Sequence, residues 1–337
     1  MESYEIVIVG AGPAGLKCAE VLAEAGKEVV VLEKNEVIGP KVCAGCLTAK
    51  DFTLGISKNI GKSFKEIFVH TPHRTTIMET GETIITTTDR KELGQLMLKQ
   101  AKRAGAVIKT KIKVSEIKKD SIIANNKEIK FKYLIGADGS SSLVRRSLGL
   151  KTKEIDIAIQ YIIPNVYKHL ELFFDADLFA SGFAWIIPNG KFTSIGVCVD
   201  PRYLNAKDLR VNFNKWLKKK KIDVSKARFE AAPINYNYEG YKFKNKYLIG
   251  DAAGFASGLT GEGIYFAILS GKEVAEQIIN KKYKPKGIEK ILRIKSRHEA
   301  LLKLFEFSKP LSAIEYETLA ILLKSKLIDK EVVDIFG

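Results

Sequence analysis

Glycines 10, 12 and 15 follow the apolar run Ile6-Val-Ile-Val9 at G-x-G-x-x-G spacing. Gly10 permits a tight turn, Gly12 lets the backbone approach a pyrophosphate with no Cβ in the way, and Gly15 lets a helix pack close to a strand. A helix over residues 13–25 then aims its unpaired N–H groups and positive dipole end at the phosphates. Glu33 closes the next apolar run, Val29-Val-Val-Leu32, where a carboxylate can accept hydrogen bonds from ribose hydroxyls. The chemistry implied is dinucleotide binding. The bland alternative is an ordinary glycine turn, which leaves the strand, the helix and the spaced acid as coincidences.

Two further glycine-rich segments accompany this one. Tyr133-Leu-Ile-Gly136-Ala-Asp138-Gly139-Ser-Ser-Ser-Leu-Val-Arg145 reads as strand, turn and helix start. Tyr247-Leu-Ile-Gly250-Asp251-Ala-Ala-Gly254 is a similar strand and turn. A helix begins at Gly263-Ile264, with Ile264, Ala267, Ile268, Gly271, Ala275 and Ile278 on one face. Asp138 and Asp251 are each also readable as turn residues that satisfy backbone N–H groups. A third unit is Gly39-Pro-Lys41-Val-Cys43-Ala44-Gly45-Cys46-Leu47. Its Cys-x-x-Cys could ligate zinc, but no second pair or nearby histidines complete a set, and no metal centre is expected. It could form a redox disulfide beside a flavin, although His298 is the last histidine and no second dinucleotide fingerprint follows. Cys18 and Cys198 read as small buried hydrophobes.

Taken together, the glycine motif, the Gly-Ala-Asp-Gly segment and the late Gly-Asp strand resemble the flavoprotein family of aromatic hydroxylases and geranylgeranyl reductases. The Cys-containing glycine loop and Phe183-Ala-Trp185-Ile-Ile-Pro188 are similar to the geranylgeranyl reductase branch, whose archaeal members saturate prenyl chains of membrane ether lipids. The resemblance runs to about residue 279. It implies FAD as cofactor. It places Asp138 near the pyrophosphate, Asp251 on the ribityl chain, Arg90 against FAD, and Gly263 and Ile264 at the isoalloxazine. Ala14, Val114, Ala44 and Cys46 are carried over as further cofactor positions. Cys43 is held near the flavin as the candidate catalytic residue, and Phe183, Trp185 and Pro188 line the substrate cavity. In a bland reading Arg90 is a surface residue at a helix start, Trp185 a core aromatic, Pro188 a strand end, and the glycines of 258–263 a tight turn. Two departures bear on the substrate: Cys46 stands where the family usually has glycine, and many relatives carry a longer C-terminal extension.

Elements must gather these pieces. The expected fold is α/β: a discontinuous Rossmann-like FAD domain of residues 1–55, 85–150 and 242–285, an antiparallel-sheet cavity domain of 56–84 and 151–241, and C-terminal helices over 286–337. Asp89 caps a helix over 90–103 that stops at Gly105. Alternation over 114–131, turning at Asn125-Asn126, reads as a hairpin. The C-terminal helices carry Leu301, Leu304 and Phe305 on one face and Leu319, Leu322 and Leu323 on another.

The 337 residues suit one large domain or two to three smaller ones. No stretch reaches the ~18 apolar residues that span a bilayer. The first apolar run reads as a core strand with no basic segment before it, so no signal peptide is expected. Four cysteines without framework spacing fit a reducing compartment, hence cytoplasm. The net charge is +16, with lysines clustered over 215–221 and 281–286. A solvated surface is the first reading and peripheral contact with an anionic membrane the second. Nucleic acid is not expected, because no module motif accompanies the charge.

The function expected is FAD-dependent saturation of a prenyl chain of an archaeal-type lipid or its precursor. The electron donor is external, either a ferredoxin-like protein or a reduced nicotinamide. Alternatives are an aromatic-hydroxylase-type monooxygenase and a flavin-containing isoprenoid-binding protein without turnover.

Overall fold

A computed structural model describes residues 2–306 and 309–324. Its first sheet grows from the strand that leads into the glycine motif. Glu2–Val9 pairs in parallel with Val29–Leu32 on one side and Lys127–Gly136 on the other. Val107–Lys109 and Lys246–Leu248 extend the parallel order outward. The buried stretches Ile6–Val9, Val29–Leu32 and Leu134–Ile135 of the central strands are continuous apolar runs, as expected of a parallel sheet covered on both faces. The helices of the described residues are α1 (Pro13–Glu24), α2 (Ala49–Phe52), α3 (Arg90–Arg103), α4 (Leu143–Ser147), α5 (Ala176–Phe179), α6 (Ala206–Lys219), α7 (Ile264–Ile279), α8 (Lys286–Phe305) and α9 (Lys309–Lys324). The Asp89 side chain accepts from the Lys91 amide and caps α3. Helices α1 and α7 cross closely: a Cβ on Gly271 would meet the Ala14 carbonyl oxygen at 2.3 Å.

The expected hairpin is part of a larger unit. Asn125 and Asn126, with φ 44° and 62°, turn Ser121–Ala124 into Lys127–Gly136, and Val114–Ile117 adds a third antiparallel strand. The returning strand runs straight on into the parallel sheet. The strands read separately around residues 127–131 and 133–136 are therefore one element of ten residues.

The second sheet has seven strands, in the order Arg228–Asn235, Ile155–Ile163, Thr193–Val199, Phe183–Pro188, Glu171–Phe173, Glu66–His70 and Thr75–Glu79. All pairs are antiparallel except Glu171–Phe173 with Glu66–His70. Alternation splits each strand between two cores. Ala158, Trp185, Ile187 and Cys198 face one way. Ile159, Ala184, Ile186 and Val197 face the other, against α6.

That helix corrects the reading of 151–241 as sheet alone. Asn205 caps α6 by accepting from the Lys207 and Asp208 amides, and Leu209, Phe213, Trp216 and Leu217 are buried along one stripe. The lysine cluster over 215–221 is the exposed C-terminal end of this helix.

A small sheet of Cys46–Thr48, Ile85–Thr87 and Lys62–Phe64 ties the cysteine loop to the cavity wall. Helix α9 covers the outer strand Thr75–Glu79, where the Thr76 hydroxyl donates to the Ala320 carbonyl at 2.9 Å and Arg74 pairs with Glu317. Of the expected face of Leu301, Leu304 and Phe305, Leu301 is half-buried. Leu304 is exposed, and α8 instead buries Ile288, Ile291, Lys295, His298 and Leu302. The side chains of Phe305, Leu319, Leu322 and Leu323 lie outside the described residues. No helix of the described residues is long and apolar enough to cross a membrane.

Candidate functional site

The glycine turn is shaped by close approaches. Gly10 has φ +103°, and a Cβ there would lie 2.4 Å from the Ala137 carbonyl oxygen; one on Gly15 would lie 2.1 Å from the Gly10 oxygen. Around Gly12 a Cβ would meet nothing within 4 Å, so the turn opens a space next to the N-terminus of α1. The Ala14 side chain is buried near Gly250 at the base of that helix. The Glu33 carboxylate accepts from the Ala11 amide and from the Asn35 amide, each at 2.9 Å, which fixes it at the rim of the turn. Each oxygen keeps a lone pair for a further donor. Val114 opens its strand two residues after Ile112, whose amide donates to the Glu33 carbonyl.

The two late aspartates have different surroundings. Asp138 engages both oxygens at the start of α4, accepting from the Ser142 hydroxyl and the Leu143 and Val144 amides. Asp251 sits in the turn Gly250–Ala252 and accepts from Lys41 at 2.8 Å and the Ser140 hydroxyl at 3.1 Å. Burial pushes its carboxyl up, but the Lys41 charge and these hydrogen bonds outweigh that and hold it below the usual range.

Pro13, Lys41, Arg90, Asp251, Gly263 and Ile264 line a cavity of about 1440 Å³, open solvent at its mouth included. Arg90 is 9% exposed, and its Nε and Nη1 have no partner. An orphaned buried guanidinium beside a glycine turn and a helix N-terminus is the arrangement a polyanionic dinucleotide completes.

Cys43, Ala44, Gly45 and Cys46 line the same cavity. Gly45 has φ +78°, and a Cβ there would strike the Thr88 oxygen at 2.1 Å, so this bend requires glycine. The Gly45 amide reaches the Cys43 sulfur at 3.4 Å. Burial, with smaller effects from Cys43 and Asp51, pushes the Cys46 thiol well up, which disfavours the thiolate that dithiol chemistry needs.

The far wall is the second sheet, apolar apart from Gln160. Ile67, Leu170, Leu172, Phe183, Trp185 and Ile187 all face the cavity. The Trp185 indole donates to Ser194 at 2.9 Å, the Ser194 hydroxyl donates to Gln160 at 2.8 Å, and Gln160 donates to Glu230 at 2.7 Å. Pro188 ends its strand outside the lining, with its carbonyl accepting from the Thr87 hydroxyl at 2.6 Å.

Of the residues singled out in the sequence, Cys43, Ala44, Cys46, Arg90, Asp251, Gly263, Ile264, Phe183 and Trp185 meet in this cavity. Lys41, Thr48, Glu262, Gln160 and Cys198 also line it and carried no separate signal. Glu262, between two quoted glycines, was the most legible of these.

Comparison with known proteins agrees with this geometry. The FAD binding domain family matches residues 3–169. An uncharacterized protein of Methanosarcina barkeri is 31% identical over 295 residues, covering 82% of this chain and 75% of that protein. A digeranylgeranylglycerophospholipid reductase of Methanococcus vannielii is 26% identical, covering 98% of this chain and 89% of its own length. Among solved structures, a geranylgeranyl bacteriochlorophyll reductase-like protein of Thermoplasma acidophilum has the same fold: TM-score 0.82 at 23% identity, over 99% of this chain and 95% of that one. The p-nitrophenol 4-monooxygenase of Pseudomonas putida shares it at TM-score 0.77 and 18% identity, over 100% of this chain and 98% of its own. Apolar wall, cysteine loop and dinucleotide turn thus occur together in a chain that belongs to the geranylgeranyl reductase family of FAD-dependent oxidoreductases.

Proposed function

We propose that this enzyme saturates carbon–carbon double bonds of a geranylgeranyl or related prenyl chain, carried by an archaeal-type membrane ether lipid or its precursor. The observation that carries this reading is one cavity with two unlike walls. One wall holds Arg90, Asp251 and the N-terminus of α7, and the other is the second sheet, with its aliphatic and aromatic side chains. The relatives named as digeranylgeranylglycerophospholipid reductases support the substrate class.

In this reading residues 1–55, 85–150 and 242–285 form the cofactor domain, 56–84 and 151–241 the cavity domain, and the described residues of 286–337 the C-terminal helices. Gly10, Gly12, Ala14, Gly15, Glu33, Arg90, Val114, Asp138, Asp251, Gly263 and Ile264 hold FAD. When bound, FAD supplies the hydride. The N-terminus of α7 favours negative charge on the reduced ring by ~1 kcal/mol. An isolated alkene is unpolarised, so the protein contributes orientation and exclusion of water. Phe183, Trp185 and Leu172 shape a dry channel, and Cys43 positions the chain at the reacting centre. The electron donor is external, and the basic surface suits an acidic carrier or an anionic membrane on the cytoplasmic side.

Anaerobic incubation of dithionite-reduced enzyme with a geranylgeranyl phospholipid tests this. Mass spectrometry should show a gain of two hydrogens per reduced double bond, lost with Cys43→Ser while FAD stays bound. A hydroxylated product formed only with oxygen would sink the reading, as would tight lipid binding with no turnover.

A further inference from the structure

One carboxyl group lines the cavity and a second is held by the cavity residue Thr48, each with an oxygen that lacks the partner a buried carboxylate needs. Asp51, the third residue of α2, is 1% exposed. Its Oδ2 accepts from the Thr48 amide at 2.8 Å and the Thr48 hydroxyl at 3.2 Å. Its Oδ1 has no partner. Glu262 lines the cavity between Gly261 and Gly263, and its Oε1 is likewise buried and unpartnered. Thr48, which holds Asp51, lines the same cavity. We propose that Glu262 holds a proton in this cavity and delivers it to the alkene carbon that does not receive the hydride, with Asp51 as a positioning residue whose charge acts on Glu262. The proposal rests on the reading of the site as an alkene reductase.

The groups around the pair leave the proton in place. Lys50 of α2 draws Glu262 down, and Arg90 at the start of α3 draws Asp51 down. Cys46 of the cysteine loop carries a thiol that burial pushes up, and His298 of α8, facing Lys50, is pushed down by burial and stays neutral. Burial outweighs the two cations. It pushes Glu262 up to about 7, with the Asp51 charge adding to it, and Asp51 up to about 6 against the hydrogen bonds from Thr48. Burial and a neighbouring negative charge both favour the protonated form of the Glu262 carboxyl near neutrality. A donor with a pKa near the working pH is the effective general acid, which the Cys46 thiol is not.

The balance is simple. The hydride, supplied by reduced FAD, brings the electron pair of one new C–H bond. The alkene π pair forms the other by taking the Glu262 proton, whose O–H electrons remain on the carboxylate. The alkene is reduced, the cofactor oxidised, and a proton from water restores Glu262.

The test uses the FAD-loaded enzyme, with Glu262→Gln and Asp51→Asn variants. Infrared difference spectra between pH 6 and pH 8, without substrate, should show a protonated-carboxyl band that Glu262→Gln removes. In anaerobic single turnovers with a geranylgeranyl phospholipid, Glu262→Gln should slow flavin reoxidation about 10²–10⁴-fold at unchanged FAD content. Asp51→Asn should move the basic limb of the rate to lower pH, because the charge that raises Glu262 is gone. A merely structural Asp51 would leave that limb in place. Wild-type rates and pH profiles in both variants would overturn the proposal alone. Failure of the unsubstituted enzyme to reoxidise with the alkene would overturn the alkene reading, and this proposal with it. Should Glu262→Gln not fold, the Asp51→Asn pH limb decides.

Discussion

Lys41 Nζ lies 2.8 Å from Asp251 Oδ2, joining the cysteine loop to a turn 210 residues later. Asp251 is largely buried and Lys41 half-exposed, so the ammonium is what keeps this carboxylate ionised against burial. Its folded value is lowered, so its contribution to stability is full above the unfolded pKa and is lost as pH falls through the folded one. In Lys41→Met burial dominates and the carboxyl rises. The acid limb of FAD affinity should then move to higher pH, which fluorescence titration of the apoprotein with FAD measures. Asp251→Ala should weaken FAD binding by ~1.5–3 kcal/mol at all pH values above that limb.

Glu33→Ala removes the acceptor of the Ala11 and Asn35 amides as well as a proposed ribose partner. FAD affinity should fall by ~1.5–3 kcal/mol. The apoprotein should lose stability too, because the turn loses its fastening. A loss of FAD affinity with unchanged apoprotein melting would show that the two amide bonds carry nothing.

Gly196 is the floor under Trp185: a Cβ there would lie 2.3 Å from the indole Cζ2. Gly196→Ala should displace the ring, break its bond to Ser194 and cost ~1–3 kcal/mol in urea unfolding. The Trp185 emission should shift to the red, with Trp216, buried against α5, as the constant background.

His298 is buried, and its Nδ1 shares a hydrogen bond of 2.8 Å with the Ser257 hydroxyl. Burial, with the Lys50 and Lys295 charges, pushes it down to about 4 from a model-peptide value of 6.5. Between those values the unfolded chain binds more protons, so stability falls as pH drops, by order 1–3 kcal/mol. His298→Gln should flatten that slope in thermal melts between pH 7 and pH 4. An unchanged slope would mean the imidazole protonates freely in the folded state.

Electron supply is open to a direct measurement. The chain has one dinucleotide fingerprint, and the net charge of +16 favours encounter with an acidic carrier. Stopped-flow bleaching of the flavin should be slow with NADPH or NADH and fast with a small acidic iron–sulfur protein, with an on-rate that falls as salt rises. Rapid, saturable bleaching by NADPH alone would overturn this.

The dinucleotide turn, Glu33, the Asp89 cap and the cysteine loop were readable from the chain alone, because each is a local event: a strand, a turn of required φ and a helix start occupy fewer than forty consecutive residues. The stripe of α6, Leu209, Phe213, Trp216 and Leu217, was equally local, but β-branched and aromatic neighbours on both sides masked it. The face of α8 was not readable, since its buried side includes Lys295 and His298, which only their carbonyl and hydroxyl partners make tolerable. The same holds for Lys41 with Asp251 and for Asp51 with Glu262. Their charge states depend on burial and on neighbours some 210 positions away along the chain. Coulomb interaction and desolvation act through space, and only the packing of α2, α7 and the cysteine loop around one cavity sets those distances.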